Sequence, residues 1–283
     1  MKHYQLYASV SDLSSAQGDL ETQLLFGERL LAGKLSYYAY SQLIRDHDFW
    51  RPYPVRNISS QSSFALLSQY ILPNAIVKSF DAFLEPWHIP LPYGSPLAID
   101  SQGKVSLPKE VKIRMKLPLD KKVPYCNVSH VRFCNEPFSI DLLLKESENF
   151  LGIPYVWGGR CLHHSLIGYG LDCSGFLNIL FQAHGLSIPR NARDQFKDCD
   201  LVEYFEDLPL GGFVFLKNDQ STQISHVMLK KSPTHLIHAV QNLGKVVLFS
   251  LGVDIEFKKN KFYTLSAEGK AFFGIPKRRK IFF

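Results

Sequence analysis

An apolar run bracketed by helix-capping signals constrains the fold of this chain more than any other feature. Between Asp172 and Gly185, apolar side chains fall on nearly every face of a predicted helix. A helix without a polar face is buried, so we expect it at the centre of a core. Asp172 can cap its start and Gly185 can end it. Four short apolar runs follow, separated by turn signals, and helices followed by such strands predict an α+β domain (212–216, 225–229, 235–240, 245–249).

Two further helices are predicted around this run. Ser139 is a suitable N-cap, and apolar residues recur at helical spacing as far as Leu151, where Gly152 and Pro154 end the pattern. A short helix is expected over residues 192–199.

The region before Pro137 has no long helical pattern. Short β-rich runs alternate with Gly, Pro, Asn and Ser, which predicts small barrels or sandwiches (22–31, 37–44, 91–99). Residues 26–28 (Phe-Gly-Glu) and 93–95 (Tyr-Gly-Ser) look like the same turn before an apolar strand. This similarity indicates a duplicated module.

Composition sets the class of protein. Hydrophobic residues make up 46% and aromatic residues 13% of the 283 residues, as in a globular protein with a core. The formal charge of +6 is too mild to indicate a nucleic-acid partner, and the basic run 277–280 is interpreted as the solvated end of a strand. The sequence has no run of 18 apolar residues, so no transmembrane helix is predicted, and no signal peptide is recognised at the start. We therefore expect a cytoplasmic protein whose five cysteines are free thiols.

Cys173 is the candidate nucleophile. It opens the buried helix, where the helix dipole is expected to favour the thiolate. His226 and His238 lie in two consecutive predicted strands. If a three-residue loop joins these strands, the two histidines are directly opposed, with Cβ atoms roughly 4.5–5.5 Å apart. His226 would then be the base and His238 its orienting group, and the amide of Cys173 would bind the oxyanion.

The alternative interpretation is that Cys173 and both histidines are ordinary core residues. The cap, the helix start and the strand context agree with one another, so function is favoured. No metal or other cofactor is expected, because neither Cys/His cluster offers four ligands at a known spacing (126, 130 and 134; 161, 163 and 164). No phosphate-binding loop is present in the sequence.

Residues 139–250 resemble the NlpC-type, papain-like cell-wall cysteine peptidases. The matching segments occur in order along the chain (150–159, 172–176, 185–190, 195, 225–227, 237–239). The N-terminal part resembles the paired bacterial SH3-like domains of cytoplasmic family members. The resemblance implies two small all-β SH3-like barrels at residues 1–70 and 71–136, followed by an α+β papain-like domain at residues 137–283 with helices packed on an antiparallel sheet.

The resemblance also implies an activity. Family members cut peptidoglycan stem peptides between γ-D-glutamate and the following diamino acid, usually meso-diaminopimelate, through an acyl-enzyme. The nucleophile maps to Cys173, the base to His226, the third polar residue to His238, and the tyrosine near the oxyanion site to Tyr155. Recycled muropeptides are the expected substrates and a monomer is the expected state.

The resemblance assigns substrate contacts to several further residues. Glu28 would hold the free amine of L-alanine, with Tyr53 as a second contact from the N-terminal part. In the catalytic domain, substrate contacts are expected from five residues: Trp157, Asp172, Ser174, Arg190 and Asn191. Asn191 stands where the family often has Asp, so ammonium recognition is expected to be weaker. The segment 160–171 is longer than usual and is expected to reshape the cleft.

Two alternative functions stay open at this point. One is a peptidoglycan amidase or acyltransferase that uses the same nucleophile. The other is a protein that binds wall peptides with weak or no catalysis.

Overall fold

The computed structural model describes residues 2–14, 19–32, 37–40, 57–58, 64–68, 71–117, 123–166, 169–218, 223–277 and 279–280. Within this part of the chain, two small β units precede a larger unit that carries Cys173.

The first unit consists of two small antiparallel sheets. One sheet has the order β5-β4-β1-β7 and the other the order β3-β2-β6. The strands are β1 (Lys2–Leu6), β2 (Val10–Ser14), β3 (Leu20–Leu25), β4 (Arg29–Ala32), β5 (Tyr37–Tyr40), β6 (Asn57–Ile58) and β7 (Phe64–Leu66).

The second unit is also mostly β-structure. Its sheets have the orders β11-β8-β12 and β10-β9. The elements are β8 (Ala75–Val77), β9 (Phe83–Leu84), β10 (Ile89–Pro90), β11 (Pro96–Leu97), α1 (Lys109–Arg114), a 3₁₀ turn (Val128–His130) and β12 (Val131–Phe133). The short strands agree with the predicted β-rich character, whereas α1 was not predicted. The assignment of SH3-like barrels stays a prediction.

The two aromatic-glycine turns have the same local geometry. Gly27 and Gly94 have φ angles of +82° and +88°. In each turn, the residue after the glycine donates its N–H to the carbonyl of the residue three positions earlier. Glu28 donates to Leu25 at 3.0 Å, and Ser95 donates to Pro92 at 3.0 Å. Glycine is needed at both positions because a side chain disfavours this conformation.

The C-terminal unit begins with two helical segments and the central helix. The elements are α2 (Ile140–Glu146), a 3₁₀ turn (Ser147–Phe150), β13 (Arg160–Cys161), β14 (Gly170–Leu171), α3 (Cys173–Ala183), β15 (Leu186–Ser187) and α4 (Ala192–Lys197). Ser139 caps α2 by accepting from the Leu142 N–H at 3.2 Å. The first predicted helix therefore begins as expected, but its last turn is 3₁₀.

An antiparallel sheet completes this unit. The strand order is β20-β19-β18-β17-β23-β22-β21, and β16 also pairs with β23. The strands of this sheet are β16 (Cys199–Val202), β17 (Phe213–Asn218), β18 (His226–Ser232), β19 (His235–Val240), β20 (Lys245–Ser250), β21 (Ile255–Lys258), β22 (Lys261–Thr264) and β23 (Glu268–Pro276). The last strand, β24 (Arg279–Lys280), pairs with β15 in a separate two-stranded sheet. The predicted meander corresponds to β17–β20. Helix α4 ends earlier than predicted because Cys199 pairs with Pro276 in the sheet.

Helix α3 lies at the centre of the core, as its composition predicts. Every residue of the helix is buried. Phe176, Leu177 and Phe181 belong to one apolar cluster that also contains Val227 of β18 and Ile237 of β19. The helix is thus fixed on the strands that carry both candidate histidines.

Apolar packing also joins the three units. Leu25, Ile76 and Tyr93 from the N-terminal units belong to the cluster around α3. Phe26 and Ala65 belong to a second cluster, built mainly from residues 75–131. The predicted domain boundaries therefore do not separate the cores, and they stay predictions. No helix in the described ranges is long and apolar enough to cross a membrane.

Candidate active site

Cys173 occupies the first position of α3, where Asp172 is the N-cap. The Asp172 carboxylate accepts the Gly175 N–H at 2.6 Å, which fixes the first turn. The backbone N–H groups of Val227 and Ser174 act on the Cys173 thiol and favour its charged form. Since Val227 follows His226 in β18, the thiol is tied to the strand that carries the candidate base.

The expectation that the helix start lowers the thiol pKa is wrong for the free protein. Cys173 is only 7% exposed, and its burial raises the pKa to about 12. The nearby Asp172 carboxylate raises the pKa further, while the two backbone N–H groups and Arg190 oppose the rise. Desolvation of the thiolate therefore outweighs the helix terminus, and the resting nucleophile is a thiol.

His226 and His238 form a hydrogen-bonded pair. The distance from His226 Nε2 to His238 Nδ1 is 2.6 Å, and the ring centroids are 4.9 Å apart. The predicted direct opposition is wrong, because Leu229 pairs with Ile237 and this register places Met228 opposite His238. The shift is two residues, which preserves the face, so the histidines meet diagonally.

Burial keeps both imidazoles uncharged. It lowers the pKa of His226 to about 4, although the Asp172 carboxylate acts in the opposite direction. The pKa of His238 lies well below its usual value, first because of burial and then because of His226. If His226 Nε2–H donates to His238 Nδ1, then His226 Nδ1 is free of a proton and can act as a base.

Arg190 and Asp172 form an ion pair at the start of α3. Arg190 donates from Nη1 to Asp172 Oδ1 at 2.9 Å and from Nη2 to Asp172 Oδ2 at 2.7 Å. Ser174 Oγ lies between them, donating to Asp172 at 3.1 Å and accepting from Arg190 at 3.1 Å. Asp172 also accepts the Gly158 N–H at 3.0 Å. Three predicted substrate contacts are thus brought together, in a network that orients the helix start.

Tyr155, Trp157 and Asn191 lie around this network. The pKa of Tyr155 is raised first by burial and then by the influence of Cys173 and Asp172. Trp157 directly precedes Gly158 and is 61% exposed. Asn191 is the N-cap residue of α4 and follows Arg190. The substrate-binding roles of these residues stay predictions.

Glu28 lies in a buried ion pair. Its carboxylate accepts from Arg160 Nη1 at 3.0 Å and from Nη2 at 2.9 Å. It also accepts from Gln182 Nε2 at 3.0 Å and from the Leu25 N–H at 2.9 Å. The predicted contact with a substrate amine would have to share this carboxylate with four donors already present. That role stays a prediction, while the structure places Glu28 at the junction of two units.

Arg160, Gln182 and Gln195 were not singled out as site residues by sequence reasoning. Arg160 reaches Glu28 from the segment that follows Gly159, and Gln182 joins the same cluster from the end of α3. Gln195 donates to the carbonyls of Ser174 at 3.0 Å and Pro189 at 2.8 Å. The contacts of Arg160 and Gln182 with Glu28 join residues more than 130 positions apart, so no local pattern could have revealed them.

His163 and His164, in the segment that was expected to reshape the cleft, contact the second β unit. His163 Nε2 lies 2.8 Å from the Ala82 carbonyl oxygen, and His164 Nδ1 lies 2.8 Å from Asp81 Oδ1. In the described ranges, no group of three His, Cys, Asp or Glu side chains could hold a metal ion. Tyr53, the other predicted contact, lies outside the described residues.

Comparison with known proteins agrees with this geometry. Residues 152–255 match the NlpC/P60 family. Over 100 residues the chain is 33% identical to a Bacillus cereus protein named gamma-D-glutamyl-L-lysine dipeptidyl-peptidase, with 35% of this chain and 28% of that protein covered. A Bacillus subtilis protein of the same name is 35% identical over 103 residues, covering 36% of this chain and 32% of that protein. The matched segment spans about a third of these relatives' lengths.

A solved structure resembles the whole chain. An NlpC/P60 family protein from Bacillus cereus superposes with a TM-score of 0.68 over 99% of both chains, at 18% identity. At this identity the likeness concerns the fold alone. Together with the sequence match and the cysteine and histidine geometry, it leads to one assignment: residues 152–255 of this chain form an NlpC/P60 domain.

Proposed function

We propose that this protein is a cysteine peptidase that hydrolyses the bond between γ-D-glutamate and the following diamino acid in peptidoglycan stem peptides. One observation carries the proposal. The backbone N–H of Val227 acts on the Cys173 thiol, and the preceding residue, His226, is hydrogen-bonded to His238 at 2.6 Å. This arrangement contains a nucleophile, a base and an orienting group. The relatives' names support the choice of a γ-D-glutamyl bond.

The first half of the reaction forms an acyl-enzyme. His226 takes the Cys173 proton as the sulfur attacks the γ-carbonyl carbon of D-glutamate. The oxyanion is held by the Cys173 N–H, which lies at a helix start where amides lack intrahelical acceptors. His226 then gives the proton to the leaving amine of the diamino acid, and the C–N bond breaks.

The second half releases the enzyme. A water molecule loses a proton to His226 and attacks the thioester carbonyl. The carbon–sulfur bond breaks, Cys173 recovers the proton, and the γ-carboxylate of D-glutamate leaves. His238 stays neutral throughout, keeping the ring of His226 oriented through the Nε2 to Nδ1 hydrogen bond.

Defined peptides test the proposal. The protein, Cys173→Ala and the control Cys199→Ala are incubated with L-Ala-γ-D-Glu-meso-diaminopimelate and with its L-lysine counterpart, and products are identified by mass. Cys199 is a partly buried thiol in β16, so its loss should leave activity intact. Release of L-Ala-γ-D-Glu by the protein and by Cys199→Ala, but not by Cys173→Ala, supports the proposal. Equal cleavage by Cys173→Ala, or no cleavage by any form, contradicts it.

A second candidate function is hydrolysis of a γ-glutamyl bond in poly-γ-glutamate instead of in a peptidoglycan stem peptide. A Bacillus subtilis protein named gamma-DL-glutamyl hydrolase is 30% identical over 139 residues, covering 47% of this chain and 32% of that protein. Poly-γ-glutamate is therefore tested beside the stem peptides. Shortening of that polymer, with both tripeptides left intact, would favour this candidate.

A further inference from the structure

The first β unit reaches the catalytic network through strand β3. Thr22 lies in this strand and is 2% exposed. Its Oγ1 accepts a hydrogen bond from Arg190 Nε at 2.9 Å, across 168 positions of the sequence. The same guanidinium binds the Asp172 carboxylate through its two terminal nitrogens. We propose that Thr22 is a positioning residue for the catalytic centre, acting through Arg190 and Asp172 on the start of α3.

The planarity of the guanidinium explains how Thr22 acts. The three nitrogens of an arginine fork lie in one plane, so fixing Nε also fixes the direction of the two terminal N–H groups. Thr22 holds Nε, while Asp172 receives Nη1 and Nη2 at 2.9 and 2.7 Å. Without the Thr22 hydroxyl oxygen, the Arg190 guanidinium can rotate away from the Asp172 carboxylate.

Asp172 transmits this orientation to the nucleophile. It caps α3 through the Gly175 N–H at 2.6 Å and holds the Gly158 N–H at 3.0 Å. Its charge raises the pKa of the adjacent Cys173 thiol, whereas Arg190 lowers it. A displaced guanidinium compensates the Asp172 charge less well, so formation of the thiolate becomes harder.

The contacts around Thr22 hold β3 independently of its hydroxyl. Gln23 Oε1 accepts from the N–H groups of Arg160 and Cys161, both at 2.8 Å. Arg160 Nη1 donates to the Gln23 carbonyl at 2.8 Å and also binds Glu28. Because these bonds fix the strand, replacing Thr22 by a residue of the same shape tests the hydroxyl alone.

Three variants test the proposal, which rests on the proposed function for its kinetic part. Thr22→Val keeps the shape and removes the acceptor, and Thr22→Ser keeps the acceptor. Ser147→Ala is the matched control, because Ser147 is fully buried and its Oγ donates to the Leu144 carbonyl at 2.6 Å in the α2 region. Each is measured for kcat and KM on the tripeptide, for thermal unfolding, and for the rate at which iodoacetamide alkylates Cys173, followed by mass of the peptide that contains it.

Thr22→Val should lower kcat roughly tenfold with little change in KM, because an orienting contact was removed rather than a substrate contact. It should also slow alkylation of Cys173, while Thr22→Ser stays close to the unmodified protein and Ser147→Ala changes only stability. Unchanged kcat and alkylation in Thr22→Val would overturn the proposal, as would an equal defect in Thr22→Ser or a change confined to KM. If the unmodified protein cleaves no tripeptide, the proposed function fails, and the alkylation rates alone still decide the role of Thr22.

Discussion

At the residue scale, burial decides the protonation of the candidate nucleophile and of the candidate base. The pKa of Cys173 is raised to about 12 and that of His226 is lowered to about 4, both chiefly by desolvation. A neutral thiol beside a neutral imidazole is therefore the resting state. In the proposed reaction, the charged pair forms only when the thiol proton moves to His226 during the attack on substrate.

The depressed pKa of His226 predicts a loss of stability in acid. In the unfolded chain a histidine binds a proton below about pH 6.5, whereas folded His226 stays neutral until about pH 4. Stability is thus complete above pH 6.5 and falls as the pH drops toward 4, by about 2 kcal/mol at pH 5 for this residue. Urea unfolding at about pH 7 and about pH 5 should show a smaller loss in His226→Asn than in the unmodified protein.

The same experiment can contradict this interpretation. Carboxylates titrate in both proteins, so their contribution cancels in the comparison. An equal loss of unfolding free energy in both proteins would mean that His226 is already accessible to protons in the folded state.

At the scale of elements, the segment before α3 is shaped by close contact with β3. Gly158 has a φ of +71°, and a Cβ at this position would lie 2.5 Å from the Leu20 carbonyl oxygen. The Gly158 N–H binds Asp172 at 3.0 Å. The glycine therefore serves two purposes: it adopts the left-handed conformation, and it lets the strand approach the helix start.

Two glycine substitutions separate these purposes. Gly152 also has a positive φ, +83°, but an added Cβ would meet nothing within 4 Å. Gly152→Ala should cost about 1–2 kcal/mol of unfolding free energy, from the backbone conformation alone. Gly158→Ala should cost more and should also lower kcat, because β3 must move away from Asp172. Denaturant unfolding and kinetics measure both effects.

Equal losses in the two alanine variants, with kcat unchanged, would show that the contact between Leu20 and Gly158 has no importance for the site.

At the scale of the whole molecule, the catalytic unit and the first β unit share a buried charge pair. Glu28 and Arg160 have side chains 3% and 0% exposed, and their closest approach is 2.9 Å. Gln182 joins the pair by donating to Glu28 and also to the Gly94 carbonyl at 2.8 Å. Residues from all three units thus meet at one buried point, which fixes how the units pack.

Removing one partner should destabilise the molecule strongly. Glu28→Gln leaves the Arg160 charge buried without its carboxylate and should cost about 3–5 kcal/mol. Asp200→Asn is the control, since its pair with Lys277 is exposed and 3.7 Å long, and it should cost about 0–1 kcal/mol. Adding Arg160→Met to Glu28→Gln should recover part of the loss. Urea unfolding measures all four proteins.

A cost of Glu28→Gln no larger than that of Asp200→Asn would contradict the buried ion pair. A further loss in the double variant, rather than a recovery, would show that Arg160 stabilises the junction through Gln23 instead.

Much of the catalytic unit could be predicted because its signals are local. The Asp172 cap, the buried helix that starts at Cys173 and ends before Gly185, and strands β17–β20 all follow from spacing and turn residues within short segments. The contact of His226 with His238 was predicted as well, but its register was not. The hairpin closes at Ser232 and His235, later than assumed, and the irregular pairing between Lys230 and Ser232 then changes the register by one position. Together these features place the pairing two positions from the predicted register, which the assumed loop length could not show.

The sequence alone therefore determined the candidate catalytic residues and the helix and strands that hold them, because capping and periodicity act over a few residues. Only the tertiary structure decided three further features: the protonation of Cys173 and His226, the engagement of Glu28 by Arg160, and the reach of Thr22 to Arg190. The first depends on desolvation by the surrounding core. The other two depend on the packing of segments that lie more than 130 positions apart in the chain.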